Sequence, residues 1–337
     1  MSYVPDTVRA FVAERDGDGV RRGVRPFPFT ELPSGEVTIR VEWSGVNYKD
    51  ALATIAAGKV ARISPLIPGI DMAGEVVESS DPAISVGSRV IAHGYELGVS
   101  RHGGYAEYQR VPAAWIVPLP AGLTTREAMA IGTAGFTAAM SVESLERWGL
   151  VPGSGPVVVT GASGGVGRMA LSMLAARGYE VWALTGKADE ADRLRQLGAA
   201  GILDRSVLST GAGRALEAER WAGAVDAVGA ATLPYLLRSL RWGGAIAASG
   251  NAGGAELSTT VFPFILRGVA LLGIDSAHLP LDARREIWRR LAADLRPGAI
   301  EDTTEVSLDS IEGALDAILA GNARGRWVVR VGAAGAA

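Results

Sequence analysis

The run Val157-Val158-Val159-Thr160-Gly161-Ala162-Ser163-Gly164-Gly165-Val166-Gly167 constrains this chain more than any other feature. Four strand-forming residues lead into a glycine-rich turn, and the apolar stretch Val166–Ala176 continues as a helix. Gly161 permits the tight turn, Gly164 and Gly165 let backbone approach a pyrophosphate, and Gly167 lets helix and strand pack closely. The helix start offers free N–H groups and the positive end of a dipole to phosphates. A purely structural turn is the alternative, because three glycines alone are a weak signal. The surrounding pattern decides for a dinucleotide site.

That pattern is an alternation of strands and helices. Strands are expected at Glu180–Thr185, Gly201–Leu203, Ala224–Val228, Ala245–Ser249 and Val269–Ile274. Helices are expected at Glu190–Leu197, Thr232–Ser239 and Asp282–Leu295. Near-continuous apolar strands between helices predict a parallel sheet covered on both faces, a doubly wound α/β domain of the Rossmann type. The first third reads differently. Val8–Ala13, Glu36–Trp43, Met72–Glu78, Arg89–Ala92 and Ala106–Val111 are short β segments separated by Gly, Pro, Ser and Asp. An irregular, mostly antiparallel barrel follows. The texture changes at Thr124-Thr125-Arg126-Glu127, a capping box before the apolar stretch Ala128–Val142. A strand, the helix Ile311–Leu319 and a last strand lie within Thr303–Val331, and this tail is expected to rejoin the first domain. The division is therefore 1–123 with 296–337, and 124–295. Ala333–Ala337 reads as frayed.

Composition narrows the function. The chain has 337 residues, enough for about two domains, and a formal charge of −3. Without a basic excess there is nothing to neutralise the phosphates of a nucleic acid, so no nucleic-acid partner is expected. Cysteine is absent, so disulfides, Cys-ligated metals and Cys nucleophiles are excluded. The histidines are His93, His102 and His278, too widely spaced to suggest a His₃ metal site. Met1 to Gly19 lacks a signal-peptide pattern, and no apolar run reaches the ~18 residues of a membrane span. The expectation is a cytoplasmic protein with no membrane partner.

The end of the strand after the glycine turn selects the dinucleotide. NAD sites place an acid there for the ribose 2′-OH. This chain has Thr185-Gly186-Lys187, where a hydroxyl and an ammonium suit a 2′-phosphate. Arg205, after the next strand, approaches the same phosphate. The competing reading makes Lys187 and Arg205 solvated surface charges. Val228-Gly229 and Ser249-Gly250-Asn251, at later strand ends, are candidates to border the nicotinamide ribose, with ordinary turns as the alternative.

In this order of barrel and sheet, several stretches resemble the medium-chain dehydrogenase/reductase superfamily. They are Val46-Asn47-Tyr48-Lys49-Asp50-Ala51-Leu52, Pro68-Gly69-Ile70-Asp71, Gly132-Thr133-Ala134-Gly135-Phe136-Thr137-Ala138 and the run from Pro263 to Ser276. The resemblance is to its zinc-independent quinone oxidoreductase family of the YhdH/YhfP type, which includes acryloyl-CoA reductases. It implies a GroES-like β-barrel catalytic domain plus a Rossmann NADPH-binding domain. Zinc-dependent members carry a catalytic Cys near the position of Asn47 and a His near that of Ile70, so the resemblance implies no metal. It also implies NADPH contacts at Tyr48, Val166, Gly167, Arg168, Met169, Thr185, Gly186, Lys187, Arg205, Asn251, Ile265, Ser276 and Asn322. Acryloyl-CoA reductases usually have a Trp before paired glycines in the barrel loop, whereas this loop reads Arg101-His102-Gly103-Gly104-Tyr105.

The implied chemistry is hydride transfer from NADPH to a small-molecule substrate, an enone, an enoyl ester or a quinone. Hydride at Cβ of an activated alkene leaves an enolate that needs hydrogen-bond donors and then a proton at Cα. Tyr48 and Asn47 are the catalytic candidates, since a phenol donates a bond or a proton and an amide donates without changing charge. Alternatively, Tyr48 only packs on the cofactor and water supplies the proton. Asp50 and Asp71 read as caps or partners of a buried Arg or Lys, and His102 as a surface loop residue. The strand Val269–Ile274 is expected to pair with its twin in a homodimer. A non-catalytic NADPH-binding sensor or structural protein is the competing class.

Overall fold

The computed structural model describes residues 4–209 and 214–332, so the expected fraying of Ala333–Ala337 lies outside the described residues. The chain divides into two compact units. One holds the chain up to Thr133, Ala277–Ala292 and the chain from Asp302; the other holds Ala134–Ser276 and Ala293–Glu301.

The first unit opens with β1 (Thr7–Asp16) and β2 (Gly19–Pro28), which form an antiparallel hairpin. The sequence pattern marks only part of β1 and misses β2, whose arginines and prolines dilute its apolar alternation. β2 pairs with β1 alone, so Pro26 and Pro28 sit on an open edge where a missing N–H is tolerated. β3 (Val37–Gly45), α1 (Tyr48–Ala53), β4 (Asp71–Ser79), β5 (Arg89–His93), β6 (Tyr108–Val111) and β7 (Val117–Pro118) follow. β3, β4, β5 and β7 pair antiparallel in that order, and β6 also pairs with β3. Val37, Ile39, Val41, Met72, Val76, Val90 and Ala92 fill the interior at alternate positions, as a period of two requires.

α2 (Thr125–Trp148) starts at the expected capping box. Thr124 N–H donates to Glu127 Oε2 at 2.8 Å, and Glu127 N–H returns the bond to Thr124 Oγ1 at 3.1 Å. The helix breaks at Gly132, whose φ of 50° and ψ of −162° are open to glycine.

In the second unit, β8 (Val157–Thr160), α3 (Gly165–Ala176), β9 (Val181–Leu184), α4 (Ala191–Gln196) and β10 (Ala199–Leu203) alternate as expected. β11 (Trp221–Asp226), α5 (Thr232–Ser239), β12 (Leu240–Ala248), α6 (Phe262–Arg267) and β13 (Ala270–Gly273) complete the alternation. The strands are all parallel, in the order β10-β9-β8-β11-β12-β13. The order reverses beside β8, and in open α/β sheets that reversal is where ligands bind. β8 is buried along its whole length, as a strand covered on both faces must be.

α7 (Leu281–Leu291) belongs to the first unit and not to the sheet unit, where a boundary at 295 would place it. Its Arg284 Nη1 donates to His93 O at 2.9 Å and its Trp288 Nε1 to His93 Nε2 at 2.9 Å. These long-range polar contacts have no signature in helical periodicity. β14 (Thr303–Ser307), α8 (Ile311–Leu319) and β15 (Arg326–Arg330) end the chain, with β15 pairing antiparallel to β3 in the barrel sheet.

Candidate active site

In the sheet unit the glycine turn has the geometry its sequence demands. Gly161 adopts φ 57°, and a Cβ there would press on Val228 Cγ2 at 3.0 Å. A Cβ on Gly167 would overlap the carbonyl oxygen of Gly161, so helix and turn pack only with glycine at that position. Gly164 caps α3, and the first free N–H groups fall on Gly165, Val166 and Gly167. Arg168 N–H is already committed to Gly164 O at 3.0 Å.

The expected phosphate residues converge beside this turn. Ser163 Oγ and Thr185 Oγ1 lie 3.0 Å apart, and Lys187 N–H donates to Thr185 Oγ1 at 3.1 Å. The Arg205 guanidinium lies against Gly186, where a Cβ would overlap Nε and Cζ. A side chain at 186 would displace this exposed arginine. Asp204 Oδ1 turns to Ser206 N–H at 2.8 Å, which keeps that carboxylate engaged in its own loop. Ser163, the turn, Thr185–Lys187 and Arg205 form one hydroxyl-rich cationic edge.

Two of the candidates are not part of that edge. Arg168 and Met169 are fully buried, and Arg168 pairs with the buried Glu190 at 3.7 Å. Their place in the fourth and fifth positions of α3 turns them under the turn, not toward a ligand, which corrects the expectation that they touch the cofactor. Gly250 and Asn251 follow β12 on the same carboxyl edge, where Gly250 packs too tightly on Ala227 for any side chain. Ile265 stands exposed on α6, and Ser276 Oγ accepts a bond from Thr137 Oγ1 at 2.8 Å. Sequence reasoning missed Asp226, at the end of β11. Its carboxylate accepts from Thr160 Oγ1 at 2.5 Å, Thr232 Oγ1 at 2.9 Å and Gly229 N–H at 2.9 Å, and so shapes the strand ends. An acid closing an apolar strand was the available signal.

In the barrel unit, Tyr48 is the first residue of α1 and is 52% exposed. Asn322 is also exposed, in the turn after α8. Asn47 is different. It is buried, and its amide is fully engaged: Nδ2 donates to Asp50 Oδ2 at 3.1 Å and to Asp71 Oδ2 at 3.1 Å, while Oδ1 accepts from Arg326 Nη1 at 2.8 Å. Both N–H groups face carboxylates, so Asn47 has none left for a substrate oxygen. This overturns Asn47 as a catalytic donor.

The expectation for Asp50 and Asp71 holds. Asp50 Oδ1 accepts from Gly69 N–H at 3.1 Å and Ile70 N–H at 2.8 Å, and Oδ2 from Asn47 N–H at 2.9 Å. Burial first, then the charge of Asp71, pushes the Asp50 carboxyl up to about 7, against the pull of those N–H donors. Asp71 accepts from Gly45 N–H at 2.8 Å and Thr133 N–H at 2.9 Å and lies 3.5 Å from the Arg326 guanidinium. His102 is buried, not on the surface, and its Nδ1 accepts from Ile67 N–H at 3.1 Å. Among the described residues no group of three or more His, Cys, Asp or Glu is placed to hold a metal ion, and no helix is long and apolar enough to cross a membrane.

A GroES-like barrel and a doubly wound sheet with this glycine edge define a nicotinamide-dependent oxidoreductase. Residues 33–121 match the family model of the alcohol dehydrogenase GroES-like domain, and residues 165–294 that of the zinc-binding dehydrogenases. The chain is 50% identical to "Putative quinone oxidoreductase YhfP" of Bacillus subtilis, over 96% of this chain and 98% of that protein. It is 47% identical to the acrylyl-CoA reductase AcuI of Ruegeria pomeroyi, over 96% of this chain and 99% of that one. The solved YhdH oxidoreductase of Salmonella enterica in complex with NADP superposes with a TM-score of 0.93 at 44% identity, covering 96% of this chain and 100% of that one. The chain belongs to the YhdH/YhfP-type quinone oxidoreductase and acrylyl-CoA reductase family of medium-chain dehydrogenases/reductases.

Proposed function

We propose that this protein is an NADPH-dependent reductase of activated carbon–carbon double bonds, with enoyl thioesters of the acrylyl-CoA type as its substrate class. The carrying observation is the edge where Arg205 covers Gly186 beside Ser163, Thr185 and Lys187. It joins the Arg205 guanidinium, two hydroxyls and the Lys187 backbone where an NAD site would place an acid. The glycine turn and the start of α3 fit the pyrophosphate. When bound, NADPH supplies the hydride.

Tyr48 is the group that donates to the substrate oxygen. It is exposed at the start of α1, and Asn47 beside it has no donor to spare. A hydrogen bond from its phenol stabilises charge on the carbonyl oxygen as the double bond is reduced. Gly250, Asn251, Ile265, Ser276 and Asn322 complete the cofactor contacts. A quinone is the second reading, favoured by the name of the Bacillus subtilis relative.

The protein acts as a cytoplasmic homodimer. β13 is the outer strand of its sheet, and Val261, Phe262 and Leu266 stand exposed on the segment before it, a surface that edge pairing would cover. A monomer in sedimentation at micromolar concentration would remove that assignment.

Steady-state assays with NADPH and NADH against acrylyl-CoA, a simple enone and a benzoquinone test the reaction. Turnover of acrylyl-CoA with NADPH is expected. Tight NADPH binding without turnover of any acceptor would leave the non-catalytic alternative, and faster turnover with NADH would refute the phosphate edge.

A further inference from the structure

The polar cluster beneath α1 joins parts of the chain that are far apart in sequence. Arg326, on β15, donates from Nη1 to Val46 O at 2.7 Å and to Asn47 Oδ1 at 2.8 Å, and from Nε to Ala130 O at 3.0 Å. Asp71, on β4, faces it at 3.5 Å and accepts from Gly45 N–H, Asn47 Nδ2 and Thr133 N–H. Both charged side chains are buried, 3% and 0% exposed. A Cβ on Gly45 or Gly132 would overlap this pair, so the backbone has been cleared around it.

Asn47 is where the pair meets the helix. Only one orientation of its amide serves, with oxygen to the cation and nitrogen to the carboxylates. Asn47 is also the cap of α1, and its own N–H is held by Asp50 Oδ2 at 2.9 Å. Tyr48, half-exposed, takes its place from this cap. A side chain that must hold a phenol at a reacting oxygen needs a fixed base, because a shift of about 1 Å costs on the order of 10²-fold in rate.

We propose that Arg326 and Asp71 are positioning residues for the reaction: acting through Asn47, they fix the start of α1 and thereby the point from which the Tyr48 hydroxyl works. This rests on the reading of Tyr48 as the donor.

The test is a double-mutant cycle on the full-length protein, with kcat for acrylyl-CoA, the NADPH dissociation constant and the thermal midpoint as readouts. Asn47→Ala and Arg326→Lys should each lower kcat about tenfold or more, with NADPH affinity held within about twofold. The double variant Tyr48→Phe/Asn47→Ala should be no slower than Tyr48→Phe alone, since a misplaced hydroxyl that is absent costs nothing further. A merely structural cluster would lower the thermal midpoint and leave this non-additivity out. Should Asn47→Ala fail to fold, Asn47→Ser and Arg326→Lys carry the same comparison, since each keeps a polar head in the cluster. Wild-type kcat in the folded variants beside a slow Tyr48→Phe overturns the inference, as does a double variant slowed by the product of the single effects. A Tyr48→Phe enzyme with wild-type kcat instead removes the reading of Tyr48 itself.

Discussion

The glycine edge of the sheet unit and the polar cluster of the barrel unit solve different problems with different materials. The edge is built largely from backbone, with glycines at 161, 164, 165, 167 and 186 and a few short or mobile polar side chains. Its parts lie between residues 161 and 205, and Arg205 is exposed. The cluster is built from side chains of Asn47, Asp50, Asp71 and Arg326, buried and mutually satisfied. An edge proposed to take an ionic ligand keeps the Arg205 charge exposed to water. A frame that must hold one residue in place buries its charges, where each lost partner leaves another uncompensated.

The largest effect should come from opening the buried frame. Asp71→Ala removes the acceptor of Gly45, Asn47 and Thr133 and leaves Arg326 buried without its carboxylate. A loss of about 3–5 kcal/mol in urea unfolding is expected; a loss below about 1 kcal/mol would make the cluster no different from a surface pair. Tyr48→Phe should keep the unfolding midpoint and lower kcat about 10²-fold, the size of a lost proton or hydrogen-bond donor. Next comes the exposed edge. Arg205→Ala should raise the NADPH KM about tenfold, leave the NADH KM unchanged, and change stability by no more than about 0.5 kcal/mol. Equal effects on both cofactors would mean Arg205 does not read the phosphate.

A separate effect, read against pH and not against a substitution, lies within the barrel. Burial, then the nearby Arg101, pushes His102 down to about 4 from the usual 6.5. The unfolded chain therefore binds the proton first as pH falls. The stability held by neutral His102 is full above 6.5 and is lost progressively as pH drops toward 4. His102→Gln should flatten that decline in unfolding experiments; an unchanged slope would assign it to other groups, His93 among them. His93 is also held well below its usual value, by burial and by Arg284.

Much of the sheet unit was legible because its signals are local. The helix Thr232–Ser239 and the strand Val157–Thr160 begin and end at the residues their patterns mark, and the capping box at Thr124 forms as its spacing requires. β2 was not legible, because a two-stranded edge tolerates prolines and arginines that a central strand excludes. Arg168, expected at the cofactor only from the family resemblance, misled because a matched position says where a backbone goes, not which way a long side chain folds. Asn47 misled because an amide's availability depends on what else has claimed it, and its claimants sit at 71 and 326.

The sequence by itself determined the parallel α/β class of the sheet unit, the β-rich character of the first unit and the absence of cysteine chemistry, all of which follow from local period, turn chemistry and composition. Only the tertiary structure decided that Arg205 lies on Gly186, that His102 and Arg168 are buried, and that Asn47 belongs to a frame and Tyr48 does not. Those facts turn on hydrogen-bond partners brought together from distant positions, and a buried polar group takes whichever partner folding places beside it.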